Sequence, residues 1–173
     1  MAADERVSLS DAFPELHDLA RVLRCSGLTV AVAESCTGGL LGAVLTALPG
    51  SSDYMRGGVI AYADSVKADL LGVSRSELAA HGAVSEPVAR AMADGARQRC
   101  HAAIGLAVTG IAGPDGGSQA KPVGLIFVAV ASAAGGRAVR LDGDSGRESN
   151  RARAVVAALQ LCFEAASGPP PTG

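Results

Sequence analysis

The feature that most constrains the fold of this chain is a series of short apolar runs separated by segments with helical periodicity. Nearly continuous apolar runs predict strands at residues 28–33, 57–63, 103–110 and 125–131, and a shorter run predicts a fifth strand at 138–143. Several runs do not alternate with polar residues, which is typical of strands buried on both faces. Because helices must then cover both sides of the sheet, the sequence predicts an α/β fold, a three-layer α/β/α sandwich.

Helical segments fill most of the chain between these runs. Apolar spacing and the capping residues Ser74 and Ser85 predict helices at 11–25, 38–48, 64–71, 75–80, 86–100 and 148–166. The tight link between the last two strands, "SAAGG", predicts an antiparallel pair. We therefore expect a mixed, mostly parallel sheet.

The composition limits the size and the partners of this fold. The 173 residues, 49% of them apolar, suffice for one domain, which we expect at 11–166 between a flexible N-terminus at 1–10 and a disordered tail at 167–173. A net charge of −2 argues against a nucleic-acid binder, which needs clustered Lys and Arg. No apolar run reaches the roughly 20 residues that span a bilayer, and no export signal is recognised, so we expect a cytoplasmic protein without membrane contact.

The cysteine and histidine residues do not have the spacing of a disulfide framework or of a metal site. The four cysteines are widely scattered, none forms a C-x-x-C pair, and the three histidines lack ligand spacing. We therefore expect free thiols, no metal and no other cofactor. A homo-oligomer is compatible with the sequence.

Three polar clusters stand at the ends of predicted strands. They are Glu34–Gly39, Tyr62–Lys67 and Thr109–Gly124. In open α/β sheets, ligands bind beyond the carboxyl ends of the strands. If the three strands are parallel, the clusters face one cleft.

The first cluster, "ESCTGG", joins a strand to a helix. Ser35 is a candidate nucleophile there, because free N–H groups near the helix start can stabilise an oxyanion. Gly38 and Gly39 would let a ligand approach the backbone closely. The alternative is that Ser35 or Thr37 only caps the helix, a position where these residue types are preferred.

The second cluster supplies a candidate base for this serine. No histidine is well placed in the sequence, but Lys67 follows Ser35 by one helix and one strand. A desolvated lysine can act as a base, since burial disfavours its charged form. Tyr62 is a candidate for a hydrogen bond or for positioning the lysine. The alternative is an exposed helix lysine.

The third cluster is a long glycine-rich loop. Gly110, Gly113, Gly116 and Gly117 can turn successive N–H groups toward an anion. The loop matches neither the dinucleotide fingerprint nor the P-loop pattern. Candidate phosphate partners elsewhere are Lys121, Arg147 and Arg151. The alternative for the loop is an ordinary long connection. The alternative for the two arginines is a solvated position at the start of an exposed helix.

Together these motifs resemble one known family. "AESCTGG", "PGSSDYMRGGVIAYA", "HGAVSEPVA", "VTGIAGPDGGS" and "KPVG" stand in one order over about residues 13–165, with Lys67 among them. The chain resembles the CinA C-terminal domain family, the nicotinamide-nucleotide amidohydrolases or NMN deamidases. It resembles the stand-alone form, so the nucleotide-pyrophosphatase role of the larger N-terminal domain is not carried over.

The resemblance implies hydrolysis of nicotinamide mononucleotide (NMN) to nicotinic acid mononucleotide and ammonia, without a metal, by a Ser/Lys dyad. Ser35 and Lys67 match the dyad and Tyr62 the tyrosine of the preceding strand, although Ser51 and Ser52 also belong to the family pattern and are alternative nucleophiles. Arg147 matches the arginine of the family's "GDR" segment, which here reads "DGDSGRESNR". Expected substrate contacts are Glu34, Thr37, Gly38, Gly39, Ser51, Ser52, Thr109, Gly110, Gly113, Gly116, Gly117 and Arg147.

A different class of function uses the same cleft. The chain would then be a non-catalytic nucleotide-binding or regulatory module linked to competence or DNA-damage machinery through a protein partner. Release of ammonia from NMN distinguishes the two.

Overall fold

The computed structural model describes residues 8–168 of the chain. The N-terminus and tail that the sequence predicts at 1–10 and 167–173 therefore lie outside the described residues, except for residues 8–10 and 167–168. Of these, Leu9 and Ser10 belong to a short first helix and Ser167 ends the last one.

The chain alternates between five strands and seven helices within the described range. The strands are β1 (Val30–Glu34), β2 (Met55–Ile60), β3 (Ile104–Gly110), β4 (Ile126–Ser132) and β5 (Gly135–Leu141). The helices are α1 (Leu9–Ala12), α2 (Glu15–Ser26), α3 (Leu40–Leu45), α4 (Asp64–Leu71), α5 (Arg75–His81), α6 (Glu86–Arg99) and α7 (Arg147–Ser167). A short 3₁₀ turn at Ser51–Asp53 precedes β2.

The strands form one mixed sheet in the order β2-β1-β3-β4-β5. The pairs β1–β2 and β1–β3 are parallel, whereas β3–β4 and β4–β5 are antiparallel. The sheet is thus mixed as predicted, but parallel pairs are not in the majority, because β4 turns back beside β3. The carboxyl ends of β1, β2 and β3 meet at one edge of the sheet, where the three polar clusters begin.

The two faces of the sheet differ in side-chain size. On the face that packs against α2 and α7, β1, β3 and β4 present Val32, Leu106 and Val128. On the opposite face, the same strands present mainly alanine to α6. A Cβ on Gly105 would lie 2.0 Å from the Ala93 carbonyl oxygen of α6, so only glycine permits this approach. The three-layer α/β/α sandwich is thereby confirmed.

Several predicted boundaries are wrong, for local reasons. The helix predicted at 11–25 is divided into α1 and α2 around Pro14. The helix predicted at 38–48 is only α3, since residues 36–39 form a turn that needs the left-handed φ angles of Gly38 (59°) and Gly39 (99°). The strand predicted at 57–63 is β2, which is an edge strand and alternates between half-buried and exposed residues.

Candidate active site

The turn that follows β1 carries the candidate nucleophile. The backbone N–H of Ser35 still donates to the Val108 carbonyl of β3, at 2.9 Å, so the residue remains fixed to the sheet. Gly38 closes the turn by donating to the Ser35 carbonyl at 3.2 Å. Ser35 is 8% exposed, and its hydroxyl makes no hydrogen bond to any described residue. This hydroxyl is therefore free to react or to bind.

The Glu34 side chain stabilises this turn through hydrogen bonds to its backbone. Its carboxylate is buried and accepts hydrogen bonds from the N–H groups of Gly39 (3.0 Å), Leu41 (3.1 Å) and Gly42 (2.8 Å). The side chain thus caps α3, which has no other side-chain cap. Both carboxylate oxygens of Glu34 are bound to backbone, so the residue positions the turn, and its contact with substrate stays a prediction.

The hydrogen bonds of the turn narrow the predicted set of oxyanion donors, the N–H groups near residues 36–38, because Gly38 already donates to Ser35. The N–H groups at the start of α3 point to Glu34, and that of Gly38 to Ser35. Within residues 8–168, the N–H groups of Cys36 and Thr37 donate to no backbone carbonyl. These two donors, next to Ser35 in the chain, are the candidates for an oxyanion.

Cys36 is not a reactive thiol in this environment. Burial raises its pKa from the ordinary value of 9.0 to about 11, although its own backbone N–H and the Arg151 guanidinium oppose the rise. The residue precedes the start of α3, so it is not the helix-start thiol that would be activated. At neutral pH the thiol stays protonated, so Cys36 lacks the thiolate through which a cysteine reacts.

Lys67 is buried in α4, the helix that follows β2. Its side chain, 1% exposed, points back from the first turn of α4 and donates from Nζ to the Tyr62 carbonyl (2.9 Å) and to Asp64 Oδ1 (3.3 Å). The alternative of a solvated helix lysine is therefore wrong. Of the three ammonium donors, one has no partner among the described residues. Ser35 and Lys67 are not joined by a hydrogen bond in this structure.

Ser35 and Lys67 follow the carboxyl ends of two neighbouring strands, β1 and β2. The strands are parallel neighbours, and the Ala61 N–H beyond β2 donates to the Glu34 carbonyl at 2.7 Å. Asp64 was not identified from the sequence, although its position three residues before Lys67 is a signal for a helical ion pair. The Tyr62 side chain is 63% exposed and its hydroxyl has no partner within residues 8–168, so it is the backbone of Tyr62 that holds the lysine.

The glycine-rich loop is anchored more tightly than the sequence suggested. Thr109 is buried and donates from Oγ1 to the Ala83 carbonyl at 2.9 Å, so it has a structural role, and its contact with substrate stays a prediction. A Cβ on Gly110 would lie 2.6 Å from Ile126 Cγ1, which makes this glycine a packing requirement. Gly113 (φ 83°) and Gly116 (φ 89°) require left-handed backbone, and Gly116 and Gly117 are exposed at the loop tip.

The start of α7 closes the other side of the site. Arg147 donates from its guanidinium to the Gly113 carbonyl at 2.7 Å. One turn later, Arg151 donates to the Thr37 carbonyl at 2.9 Å. Asn150 lies between them, fully buried, and donates to the Ala112 carbonyl at 3.1 Å. Sequence reasoning missed Asn150, because its partner is remote in the chain.

Some predicted site residues lie elsewhere. Ser51 and Ser52 precede β2, whose first residue, Met55, pairs with Val30 at the start of β1. They therefore lie near the amino ends of β1 and β2, whereas Ser35 lies at the carboxyl end of β1, and the structure does not bring them into its site. Lys121 donates from Nζ to the His81 carbonyl at the end of α5.

One buried hydroxyl in the site has no partner. Thr37 is fully buried, and its Oγ1 makes no hydrogen bond within residues 8–168. It does not cap α3, whose N-cap residue is Gly39. An unpaired buried hydroxyl costs about 1–3 kcal/mol, so it is a local weakness at the centre of the turn.

Two further properties concern the whole described region. No helix within residues 8–168 is long and apolar enough to cross a membrane. The four cysteines are free thiols, and in the same range no group of three His, Cys, Asp or Glu side chains could hold a metal ion.

Comparison with solved structures shows the same architecture. A competence/damage inducible protein from Agrobacterium tumefaciens superimposes with a TM-score of 0.83 at 41% identity, covering 89% of this chain and 96% of that one. A competence-damaged protein (CinA) superfamily protein from Klebsiella pneumoniae gives a TM-score of 0.86 at 31% identity, covering 90% and 98%.

Comparison of sequences leads to the same group. A CinA-like protein from Gemmatimonas aurantiaca is 60% identical over 132 residues, which are 76% of this chain and 31% of that protein. One from Gloeobacter violaceus is 53% identical over 144 residues, 82% of this chain and 34% of the relative. The chain thus spans about one third of the length of the curated relatives that it matches. The profile of the CinA C-terminal domain matches residues 15–166, and the chain belongs to the CinA C-terminal domain family.

Proposed function

We propose that this chain is a Ser/Lys amidohydrolase that converts nicotinamide mononucleotide to nicotinic acid mononucleotide and ammonia in the cytoplasm. The observation that carries the proposal is that a serine hydroxyl without a hydrogen bond to a described residue and a buried lysine follow the carboxyl ends of two adjacent parallel strands. A lysine that is 1% exposed and whose one carboxylate partner, Asp64, is 59% exposed is unusual, and buried ionisable groups cluster at functional sites.

The proposed reaction is an acyl transfer. Neutral Lys67 takes the proton of the Ser35 hydroxyl while Ser35 Oγ attacks the carboxamide carbon. The N–H groups of Cys36 and Thr37 stabilise the developing oxyanion. The C–N bond then breaks, protonated Lys67 gives its proton to the departing ammonia, and water hydrolyses the Ser35 ester.

The hydrogen bonds of Lys67 in the free protein allow this step. Nζ keeps one position without a described partner, and catalytic hydrogen bonds are often long or unformed until substrate binds. Asp64 would hold the ammonium form that exists after proton transfer.

The remainder of the substrate extends toward the glycine-rich loop and α7. The Arg147 guanidinium has no carboxylate partner within residues 8–168, and guanidinium groups bind phosphate through paired donors. We assign it, with the exposed N–H groups of Gly116 and Gly117, to the 5′-phosphate. Asp115 at the loop tip opposes this role through its charge, so the arginine must supply most of the attraction.

The test is release of ammonia by the purified protein from NMN, nicotinamide riboside and nicotinamide. We expect turnover of NMN and a specificity constant at least about tenfold lower for the riboside, a difference of roughly 1.4 kcal/mol. Equal specificity constants for the two would remove the phosphate assignment. Absence of ammonia from all three, at measurable binding of NMN, would defeat the proposed reaction.

A second candidate is a nucleotide-binding module without catalysis. The observation that favours it is the contact of Lys67 Nζ with the Asp64 carboxylate, which pairs the lysine as an ammonium. This module would bind NMN with the same cleft but release no ammonia, so titration calorimetry together with the ammonia assay separates the two functions. For neither function do we expect direct nucleic-acid binding, a cofactor or membrane contact; homo-oligomerisation is compatible with both.

A further inference from the structure

Arg151 makes a tertiary contact with the turn that carries Ser35. It reaches from α7 to the Thr37 carbonyl, 114 residues earlier in the chain, at 2.9 Å. Its side chain is only 23% exposed, whereas its ion-pair partner Glu148 is 81% exposed. The burial of the Arg151 side chain is therefore explained by its hydrogen bond to the Thr37 carbonyl and not by its ion pair with the exposed Glu148 carboxylate.

The turn needs such a contact because its own backbone is permissive. Gly38 and Gly39 follow Thr37 directly, both with positive φ, and glycine has little intrinsic preference for one backbone conformation. Glu34 holds the N–H groups from Gly39 onward, and the Ser35 N–H is held by β3. Between these two anchors, the Thr37 carbonyl accepts only from Leu40 N–H and from Arg151 among the described residues.

Arg147 offers a natural comparison on the same helix. It lies one turn earlier and donates to Gly113 in the glycine-rich loop, not to the Ser35 turn. The two arginines thus connect α7 to two different loops of the site. Loss of each should have a different kinetic consequence.

We infer that Arg151 is a positioning residue, which holds the Thr37 carbonyl and thereby orients Ser35 and the N–H groups of Cys36 and Thr37, which donate to no backbone carbonyl among the described residues. Its kinetic consequence rests on the proposed function, but its effect on the order of the turn does not. A small displacement of a reacting group lowers the rate steeply, so the effect should fall on kcat rather than on KM.

The experiment compares Arg151→Met, Arg151→Lys and Glu148→Gln with Arg21→Met as control. Arg21 also pairs with an acidic residue three positions earlier on its helix, Asp18, but it does not contact the site. For Arg151→Met we expect faster hydrogen exchange of the amides at 36–42, a kcat for NMN at least about tenfold lower, and a KM within about twofold. Arg151→Lys should recover part of kcat, because an ammonium can still donate to the carbonyl. Glu148→Gln and Arg21→Met should leave both readouts unchanged.

Several outcomes would overturn the inference. Unchanged exchange at 36–42 in Arg151→Met would do so, as would unchanged kcat in a variant whose turn exchanges faster. Loss of kcat in Glu148→Gln equal to that in Arg151→Met would assign the effect to the ion pair. If the methionine variant does not fold, the lysine variant serves the same comparison. If the unmodified protein releases no ammonia, the proposed function fails, and exchange alone decides the positioning role.

Discussion

Two serine-containing turns of this molecule illustrate how position in a sheet decides chemistry. The turn at Ser35 follows β1, whose five residues are all buried, and the turn at Ser51 and Ser52 precedes β2 at the opposite edge. In both turns the serine hydroxyls make no hydrogen bond to a described residue, so availability of the hydroxyl does not distinguish the two turns. The side chains around each turn distinguish them.

Two charged side chains contact the first turn, and a buried lysine follows the neighbouring strand. Glu34 caps α3 from below, Lys67 lies beyond the neighbouring strand and Arg151 holds Thr37. The second turn is closed by backbone bonds and by Arg24 of α2, which donates to the Pro49 carbonyl at 3.2 Å, and it is followed by Tyr54, whose hydroxyl donates to the Leu45 carbonyl at 2.7 Å. An arginine thus contacts a backbone carbonyl in both turns, but the buried carboxylate of Glu34 supports only the first.

The largest effect should come from replacing the serines of the two turns one at a time. Ser35→Ala should lower NMN turnover by more than about a thousandfold, as expected for loss of a nucleophile, and should leave binding of NMN within a few-fold. Ser51→Ala and Ser52→Ala should retain activity, because they lie at the other edge of the sheet. Ammonia release and calorimetric titration measure both properties. Near-normal turnover by Ser35→Ala, with loss in either of the other variants, would reverse the comparison.

The second prediction concerns Lys67, the proposed general base for Ser35. Lys67→Arg keeps the positive charge but cannot release its proton, so turnover should fall by about a hundredfold or more. Because Lys67 is fully buried, the larger guanidinium must also be accommodated, and thermal unfolding should be measured in parallel. Lys67→Met provides a variant of similar length without charge. Substantial turnover by a folded arginine variant would contradict the role of general base.

Much of this contrast was predictable from the sequence, and some of it was not. Ser35 and Lys67 are the candidates for the dyad because an apolar run ends abruptly at each cluster and parallel strands bring such ends together, and their roles stay predictions. Ser51 and Ser52 were misplaced, since sequence order does not reveal which end of a strand a turn occupies. Glu34 and Thr109 were expected to contact substrate, but a polar residue at a strand end can equally satisfy nearby backbone groups.

The remaining misses come from long-range contacts. Asn150 and Arg151 are ordinary residues of a helical pattern, and their roles arise only because α7 packs where β1 and β3 end. Local periodicity predicts the helix but not its partner. The alanine-rich face of the sheet gave a related signal, since small residues indicate close helix packing, although not which helix approaches.

The third prediction tests the support of the first turn. Glu34→Gln should destabilise the fold by about 2–4 kcal/mol, because three backbone donors lose a buried carboxylate and the amide group presents a donor of its own. Asp53→Asn, in the second turn, is the matched control and should change stability by less than about 0.5 kcal/mol. Chemical denaturation measures both. Equal, small changes would show that the carboxylate does not hold the turn.

The fourth prediction uses alkaline pH. The Cys36 pKa is raised by burial from 9.0 to about 11, so between these values the unfolded chain releases a proton that the folded protein keeps. This contribution to stability is fully present below pH 9 and is lost as the pH rises through about 11. Cys36→Ala should therefore lose less stability than the unmodified protein over this range. Identical pH profiles would show that the thiol is not buried as described. The variant should also keep at least part of its activity, since Ser35 is the proposed nucleophile.

The smallest effect, and the most selective one, should come from the unpaired hydroxyl of Thr37. Thr37→Val replaces the hydroxyl by a methyl group of nearly the same size, and removal of a buried polar group without a partner is neutral or stabilising. We expect the free energy of unfolding to stay equal or to rise by up to about 1 kcal/mol, whereas Ser52→Ala in the exposed turn should change it by less than about 0.5 kcal/mol. If the hydroxyl acquires its partner from bound substrate, the valine variant will also have a higher KM for NMN. Destabilisation by more than about 1 kcal/mol would mean that the Thr37 hydroxyl already has a hydrogen-bond partner in the folded protein. The polar groups of the first turn that remain available to a substrate would then be the Ser35 hydroxyl and the N–H groups of Cys36 and Thr37.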